Sequence, residues 1–163
     1  MITGMETRRT ISVYADTSVF GGVFDEEFSG PSKAFIEAVR AGRFTLITSE
    51  LVRQEIETAP QVVRQLFEEM LPVAEIATVI AESLQLERAY LNAGIVSERS
   101  ATDALHVALA TVSGASMIVS WNFHHIVNFQ RIPRYNAVRK LHGYNDIAIY
   151  SPLEVVEHED EDI

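Results

Sequence analysis

The chain contains no cysteine. Neither a disulfide framework nor a thiolate zinc site can form, so any catalysis must rely on oxygen and nitrogen groups. No apolar run is long enough to span a bilayer, and residues 1–9 lack the apolar centre of a signal peptide. We therefore expect a cytoplasmic protein that does not enter a membrane.

Basic residues are also scarce, since 13 Lys and Arg stand against 23 Asp and Glu and the formal net charge is −10. This balance argues against a surface that attracts nucleic acid over its whole extent. Six of the acids crowd the last ten residues and predict a solvated, poorly ordered tail at residues 157–163. The densest basic cluster is either a phosphate-binding face or the solvated side of a helix. It comprises Arg131, Arg134, Arg139 and Lys140.

The 163 residues, 47% of them hydrophobic, are enough for one domain with a sizeable core. We expect it at residues 11–156, after a flexible segment at residues 1–10. Short apolar runs predict strands at residues 11–15, 45–48, 72–77, 117–119 and 147–150. Helices are expected at residues 31–41, 50–58, 61–71, 79–92, 101–112 and 133–142.

Strands that alternate with helices predict a three-layer α/β fold, in which helices cover both faces of a mostly parallel sheet. The third strand has an alternative, because residues 71–80 could equally belong to a helical hairpin.

Asp16 directly follows the first predicted strand, and Thr17 and Ser18 come next. Ligands of such sheets bind beyond the carboxyl ends of the strands, so one carboxylate and two hydroxyls should emerge in the expected crevice. A helix N-cap is an equally good explanation of Asp16 taken alone.

Glu55 shares the apolar face of a predicted helix with Leu51, Val52 and Ile56. A glutamate at this inward edge loses hydration unless a cation pairs with it, and no Arg or Lys occupies a matching position. The alternative is a side chain at the margin of the face that reaches solvent.

Asp103 opens an Ala-rich, apolar helix and stands three residues after Ser100, a spacing close to that of a capping box. A cap would explain it without any functional role. His106, one turn later, either touches the site or is a buried, hydrogen-bonded histidine.

Ser120 and Asn122 follow the fourth predicted strand and bring a hydroxyl and a carboxamide to another strand end. Asn122 alone would usually be a turn residue. His124 and His125 are adjacent, so we expect their side chains to diverge and to lie at the surface or behind the site.

Carboxylates gathered at one site repel each other unless a divalent cation is bound. Asp16, Glu55 and Asp103 are therefore the candidate ligands of Mg²⁺ or Mn²⁺.

Four motifs, in this order and spacing, resemble the PIN domain, a family of metal-dependent nucleases that includes the VapC toxins of bacterial toxin–antitoxin pairs. They are VYADTS at residues 13–18, TSELVRQEI at 48–56, ATDALHVALA at 101–110 and VSWN at 119–122. The resemblance places the acidic quartet of the family on Asp16, Glu55, Asp103 and Asn122, with Ser120 as the accompanying hydroxyl.

The resemblance implies hydrolysis of RNA to products with a 5′-phosphate, an antitoxin partner and a homodimer. Thr17, Ser18 and Ser120 would hold waters or phosphate oxygens, and the basic cluster would hold the RNA.

Asn122 departs from the aspartate that many members of the family carry, which removes a negative charge and should weaken a second metal ion. One alternative is therefore a degenerate PIN domain that serves as a binding or assembly module. A small α/β phosphatase is a further alternative, but Asp16 does not begin the Asp-x-Asp pattern of haloacid-dehalogenase-like enzymes.

Overall fold

The computed structural model describes residues 10–161, and side chains as far as residue 156. Nearly all of the predicted flexible segment at residues 1–10 lies outside this range. Five strands occupy Ile11–Ala15 (β1), Phe44–Ser49 (β2), Ala74–Ala77 (β3), Met117–Val119 (β4) and Ala148–Tyr150 (β5). Within the same range the α-helices are Thr17–Gly22 (α1), Ser29–Arg40 (α2), Glu50–Ile56 (α3), Gln61–Met70 (α4), Ala81–Asn92 (α5), Ala101–Val112 (α6), Ile132–Leu141 (α7) and Pro152–Glu161 (α8).

The strands form one sheet in the order β3-β2-β1-β4-β5, and every neighbouring pair is parallel. In the central strand β1, the consecutive residues Val13, Tyr14 and Ala15 are all buried. Successive side chains of a strand point to opposite faces, so helices must cover both faces of this sheet. The predicted three-layer α/β fold with a parallel sheet is confirmed.

The strand order creates a switch point between β1 and β4. From β1 the chain moves outward to β2 and β3, and then returns to place β4 on the other side of β1. The two crossovers therefore leave the sheet in opposite directions, which opens a crevice at the carboxyl ends of β1 and β4. Asp16 and Ser120 are the first residues after these two strands.

The third predicted strand is confirmed, and the helical hairpin is not formed. β3 pairs with β2 from Leu46 opposite Ala74 to Ser49 opposite Ala77. The strand begins two residues later than predicted, because Leu71–Val73 forms a 3-10 turn that contains Pro72.

Helix α1 was not predicted, because it ends in Gly21 and Gly22, which disfavour helix on propensity alone. Packing explains the second glycine. A Cβ atom at Gly22 would lie 2.6 Å from Ser32 Oγ and 2.7 Å from Trp121 Nε1. The helix therefore depends on a close approach to its neighbours that a local pattern does not reveal.

Helix α8 was also not predicted, and its backbone continues through residues 157–161 of the predicted acidic tail. Side chains at residues 157–163 lie outside the described part, so the solvation of the tail stays a prediction. Between residues 10 and 161, no helix is long and apolar enough to cross a bilayer.

Candidate active site

Asp16 is 4% exposed at the carboxyl end of β1 and acts as the N-cap of α1. Its Oδ1 accepts hydrogen bonds from the Ser18 amide at 3.2 Å and the Ser18 hydroxyl at 2.5 Å. Its Oδ2 accepts one from the Ser120 hydroxyl at 2.7 Å. Burial raises the pKa of Asp16 above its ordinary value, and attraction to His106 with these hydrogen bonds offsets part of that rise. The cap and the placement in the crevice are thus both observed.

Glu55 lies at the margin of the apolar face of α3, with its side chain 34% exposed. Its Oε1 accepts hydrogen bonds from the Thr17 hydroxyl at 2.5 Å and from His106 Nε2 at 2.8 Å. Burial by itself raises the pKa of Glu55, but the hydrogen bond from His106, electrostatic attraction to that ring and the bond from Thr17 bring the pKa below its ordinary value. Glu55 is therefore held ionised next to Thr17, the residue that follows Asp16.

Asp103 does not form the capping box that was the alternative to a functional role, since Ser100 makes no side-chain capping bond to α6. The carboxylate turns instead across the site, where its Oδ2 lies 2.8 Å from His125 Nδ1. The expected divergence of the two histidines is also wrong, because the rings of His124 and His125 have centroids only 4.2 Å apart. The tight turn after β4 brings both rings to the same side.

Asn122 builds that turn. Its Oδ1 accepts hydrogen bonds from the amides of His124 at 3.2 Å and His125 at 2.9 Å, and its own amide donates to Ser120 Oγ at 2.9 Å. Hydrogen bonds therefore lead from Asp16 through Ser120 and Asn122 to the loop whose His125 contacts Asp103. These bonds connect three positions of the predicted quartet at the carboxyl edge of the sheet, and the fourth, Glu55, lies within electrostatic range of Asp16, although Asn122 uses its oxygen for the loop.

Sequence reasoning missed the two histidine contacts. The sequence offers two alternatives for His106, contact with the site or a buried hydrogen-bonded position, and the residue fulfils both, because it is buried and bonds to Glu55. The available signal was a titratable residue in an otherwise apolar helix. His125 gave no comparable signal, since its contact with Asp103 depends on the turn that Asn122 forms.

A sequence model of the PIN domain matches residues 12–124. The chain belongs to the PIN domain family. PIN domains are generally nucleases that depend on divalent metal ions.

Among solved structures, this PIN domain is similar to a chain in the crystal structure of VapBC2 from Rickettsia felis bound to a DNA fragment from their promoter. The two chains are 16% identical with a TM-score of 0.58, and the match covers 86% of this chain and 98% of that one. At this identity the likeness demonstrates the fold. No curated protein sequence is significantly similar to the chain.

The carboxylate oxygens at the site of this PIN domain suit a hard cation, provided that only a few of them bind it. Within the residues that the structure describes, no group of three or more His, Asp or Glu is placed to hold a metal ion. Asp16 and Glu55 do lie within electrostatic range of each other, whereas Asp103 is occupied by His125. Mg²⁺ is usually bound by one or two carboxylates, with waters and substrate phosphates completing its oxygen shell. Asp16 and Glu55 could meet that requirement as a pair, and the assignment of Asp16, Glu55 and Asp103 as metal ligands stays a prediction.

The basic cluster does not form one face. Arg139 is 4% exposed, and its Nε donates to Thr111 Oγ1 at 2.9 Å. Burial lowers the pKa of Arg139 below its ordinary value. Thr111 follows Asp103 by eight residues along α6, which is about 12 Å of helix. Arg139 therefore ties α7 to the far end of α6, which argues against a phosphate contact, and its role in substrate binding stays a prediction. Lys140, the next residue, pairs with Asp146 at 3.3 Å.

Arg131 and Arg134 lie at the other end of α7, near the site. The Tyr135 hydroxyl anchors this end by donating to the His125 carbonyl at 2.9 Å. Arg131 Nε donates to the carbonyl of Ile95 at 3.0 Å, and an Arg134 guanidinium nitrogen donates to that of Ala93 at 2.9 Å. These two arginines are the members of the cluster at the end of α7 that contacts the His125 loop.

Proposed function

We propose that this PIN domain is a metal-dependent endoribonuclease that hydrolyses RNA phosphodiester bonds with Mg²⁺ or Mn²⁺. The observation that carries the proposal is Asp16, a nearly inaccessible carboxylate at the switch point of the sheet with Glu55 in electrostatic range. Burying one carboxylate near another costs stability. Ionisable groups with shifted pKa values in a crevice are candidates for function, and a bound cation would relieve this cost.

The chain's own residues prepare the site for hydrolysis. When bound, the divalent ion supplies Lewis-acid stabilisation of the charge that develops on the phosphoryl oxygens and an activated water. Asp16 and Glu55 would hold it. Ser18 and Ser120 fix both oxygens of Asp16, so this carboxylate needs no reorientation during the reaction. Thr17 and His106 fix Glu55 in the same way.

The remaining predicted residues would act around this pair. Asp103 would contact the ion directly or through water, while Asn122 holds the loop that carries His125 to Asp103. Arg131 and Arg134 would contact the RNA backbone on the side of the site where α7 begins.

We also propose that the protein is the toxin of a type II toxin–antitoxin pair, blocked by an antitoxin and active as a homodimer. Its fold is shared with a chain from a VapBC complex, which supports an antitoxin partner. Expression of the isolated chain should arrest bacterial growth, and co-expression of a short neighbouring reading frame should relieve the arrest. Growth unaffected by the isolated chain would contradict toxin status while leaving the nuclease proposal standing.

A second candidate function is a binding or assembly module without catalysis. Two observations favour it: the oxygen of Asn122 is engaged by backbone amides, and the described residues contain no group of three metal-binding side chains. Titration with Mn²⁺ separates the candidates, because the module should show little thermal stabilisation by the ion.

The deciding experiment exposes a pool of structured RNAs and single-stranded DNAs to the purified protein with Mn²⁺, Mg²⁺ or EDTA. Asp16→Asn is run alongside, with Asp25→Asn as a matched control at an exposed aspartate. The proposal predicts metal-dependent RNA cleavage that Asp16→Asn loses and Asp25→Asn retains. Cleavage that survives in Asp16→Asn would remove the assigned site, and cleavage of DNA alone would remove the assigned substrate.

A further inference from the structure

A buried chain of hydrogen bonds ends on Glu55. The Tyr14 hydroxyl lies 2.8 Å from Ser49 Oγ and 2.8 Å from His106 Nδ1. On the other side of the ring, His106 Nε2 lies 2.8 Å from Glu55 Oε1. Tyr14, Ser49 and His106 are all fully or almost fully buried. The chain joins β1, the end of β2, α6 and α3 behind the site.

The donors and acceptors of this hydrogen-bond chain can be assigned in one consistent direction. Ser49 Oγ already accepts the amide of Val52 at 3.1 Å, so its own hydrogen is available to Tyr14. The Tyr14 hydroxyl can then donate to His106 Nδ1. A neutral imidazole that accepts at Nδ1 carries its hydrogen on Nε2, and this hydrogen points to Glu55. Every polar side-chain atom of Tyr14, Ser49 and His106 is thus satisfied, and the Tyr14–Ser49 pair favours this tautomer of His106.

The consequence for Glu55 is an asymmetric carboxylate. Both of its hydrogen bonds, from Thr17 and from His106, fall on Oε1. Oε2 makes no hydrogen bond to any residue between 10 and 156 whose side chain is described. Because Oε1 is held by two donors, the carboxylate cannot rotate freely, and Oε2 is presented to a ligand in one orientation.

We propose that His106 is a positioning residue, which the Tyr14–Ser49 pair holds in the Nε2–H tautomer so that Glu55 offers Oε2 to the divalent ion. The proposal rests on the function proposed above and adds a residue that acts through Glu55 rather than on the substrate. Partners of metal ligands commonly contribute 10–100-fold to metal affinity or activity. A histidine that only filled space would contribute to stability and not to these quantities.

The test compares His106→Leu, His106→Gln and Tyr14→Phe with the wild-type protein. Mn²⁺ affinity is measured without RNA by titration calorimetry, and kcat and KM are measured for a cleaved RNA. His106→Leu should weaken Mn²⁺ binding and lower kcat by about 10–100-fold, with KM for RNA little changed. His106→Gln should restore most of both, because its amide can donate to Glu55 and accept from Tyr14. Tyr14→Phe should fall between these two variants.

Unchanged Mn²⁺ affinity and kcat in His106→Leu, even with a lower Tm, would overturn the proposal. If His106→Leu does not fold, Tyr14→Phe decides in the same way, since it removes one oxygen and keeps the ring. Nitrogen-15 NMR of the histidine ring gives a readout that needs neither metal nor RNA. The neutral Nε2–H tautomer supports the proposal, and either the Nδ1–H tautomer or a doubly protonated ring overturns it. A wild-type protein that binds no Mn²⁺ would instead refute the proposed function.

Discussion

Replacing Asp16 by asparagine should raise the stability of the metal-free protein while removing its activity. The change eliminates a buried charge without removing its hydrogen bonds. The asparagine oxygen can accept from Ser18, and its amide can donate to Ser120 Oγ, which has a second lone pair beside the one used by Asn122. What is lost is the cost of desolvating a carboxylate and its repulsion by Glu55.

The expected gain is about 0.5–2 kcal/mol, the usual range for a stabilising replacement at a site that serves function rather than stability. For a protein of this length about 1 kcal/mol moves Tm by about 2–4 °C, so Tm in EDTA should rise by about 1–8 °C. In Mn²⁺ the wild-type protein should instead be the more stable of the two. A free ion concentration of about 100 times Kd adds about 2.7 kcal/mol to the wild-type protein, and Asp16→Asn should gain far less.

The pH dependence has a definite sign. Burial raises the folded-state pKa of Asp16 above its value in the unfolded chain, about 3.9. Protonated Asp16 stabilises the folded wild-type protein relative to the ionised form. This contribution to the free energy of unfolding is fully present below the unfolded pKa and is lost as the pH rises through the folded pKa. Asp16→Asn should therefore be no more stable than the wild-type protein in acid. Its gain in stability should grow as the pH rises from the unfolded pKa to the folded pKa of Asp16.

The assay is thermal and urea unfolding of the wild-type protein, Asp16→Asn and Asp25→Asn, in EDTA and in Mn²⁺. Asp25 is exposed and controls for the loss of a charge. A variant that is less stable than wild type in EDTA at neutral pH, or that gains as much from Mn²⁺, would refute the reasoning.

Three further predictions concern packing and substrate contact. Gly22→Ala should lower the free energy of unfolding in urea by about 1–3 kcal/mol, because the new Cβ would meet Ser32 and Trp121. Gly21→Ala is the control and should not lose stability, because a Cβ there would have no atom within 4 Å. Equal losses for the two variants would contradict the account of α1. Arg131→Glu and Arg134→Glu should each lower the slope of log RNA affinity against log salt by about 1, while Lys140→Glu should leave it unchanged. Arg139→Met should lower the free energy of unfolding by about 1–3 kcal/mol, because Thr111 loses its buried partner, and should leave the salt slope of RNA affinity unchanged. A lower slope would show that Arg139 contacts the RNA.

Local patterns were sufficient to predict the frame of the site. Helix α3 begins at residue 50 as predicted, with Ser49 as its N-cap, which puts Glu55 at the margin of a face whose Leu51, Val52 and Ile56 are buried. The apolar runs of β1 and β4 likewise predicted that Asp16 and Ser120 follow buried strands. These features depend on neighbours within one turn or one strand, where periodicity and capping are informative.

The features that were missed depend on contacts distant in sequence. The bond from His106 to Glu55 joins α6 to α3, and Asp103 meets His125 across a turn that its own helix does not predict. The burial of Arg139 shows the same limitation, since the four basic residues that are close in sequence lie at opposite ends of α7. Helix α1 formed against its glycines because Gly22 permits a close approach.

The central claim is that Asp16 organises a metal-dependent nuclease site, and single-turnover cleavage of one RNA in Mn²⁺ tests it most directly. Removing a ligand that supplies several kcal/mol of transition-state stabilisation should slow Asp16→Asn by about 100-fold or more, with Asp25→Asn unchanged and 5′-phosphate ends on the wild-type products. Equal rates for Asp16→Asn and the wild-type protein, or rates that EDTA does not affect, would contradict it.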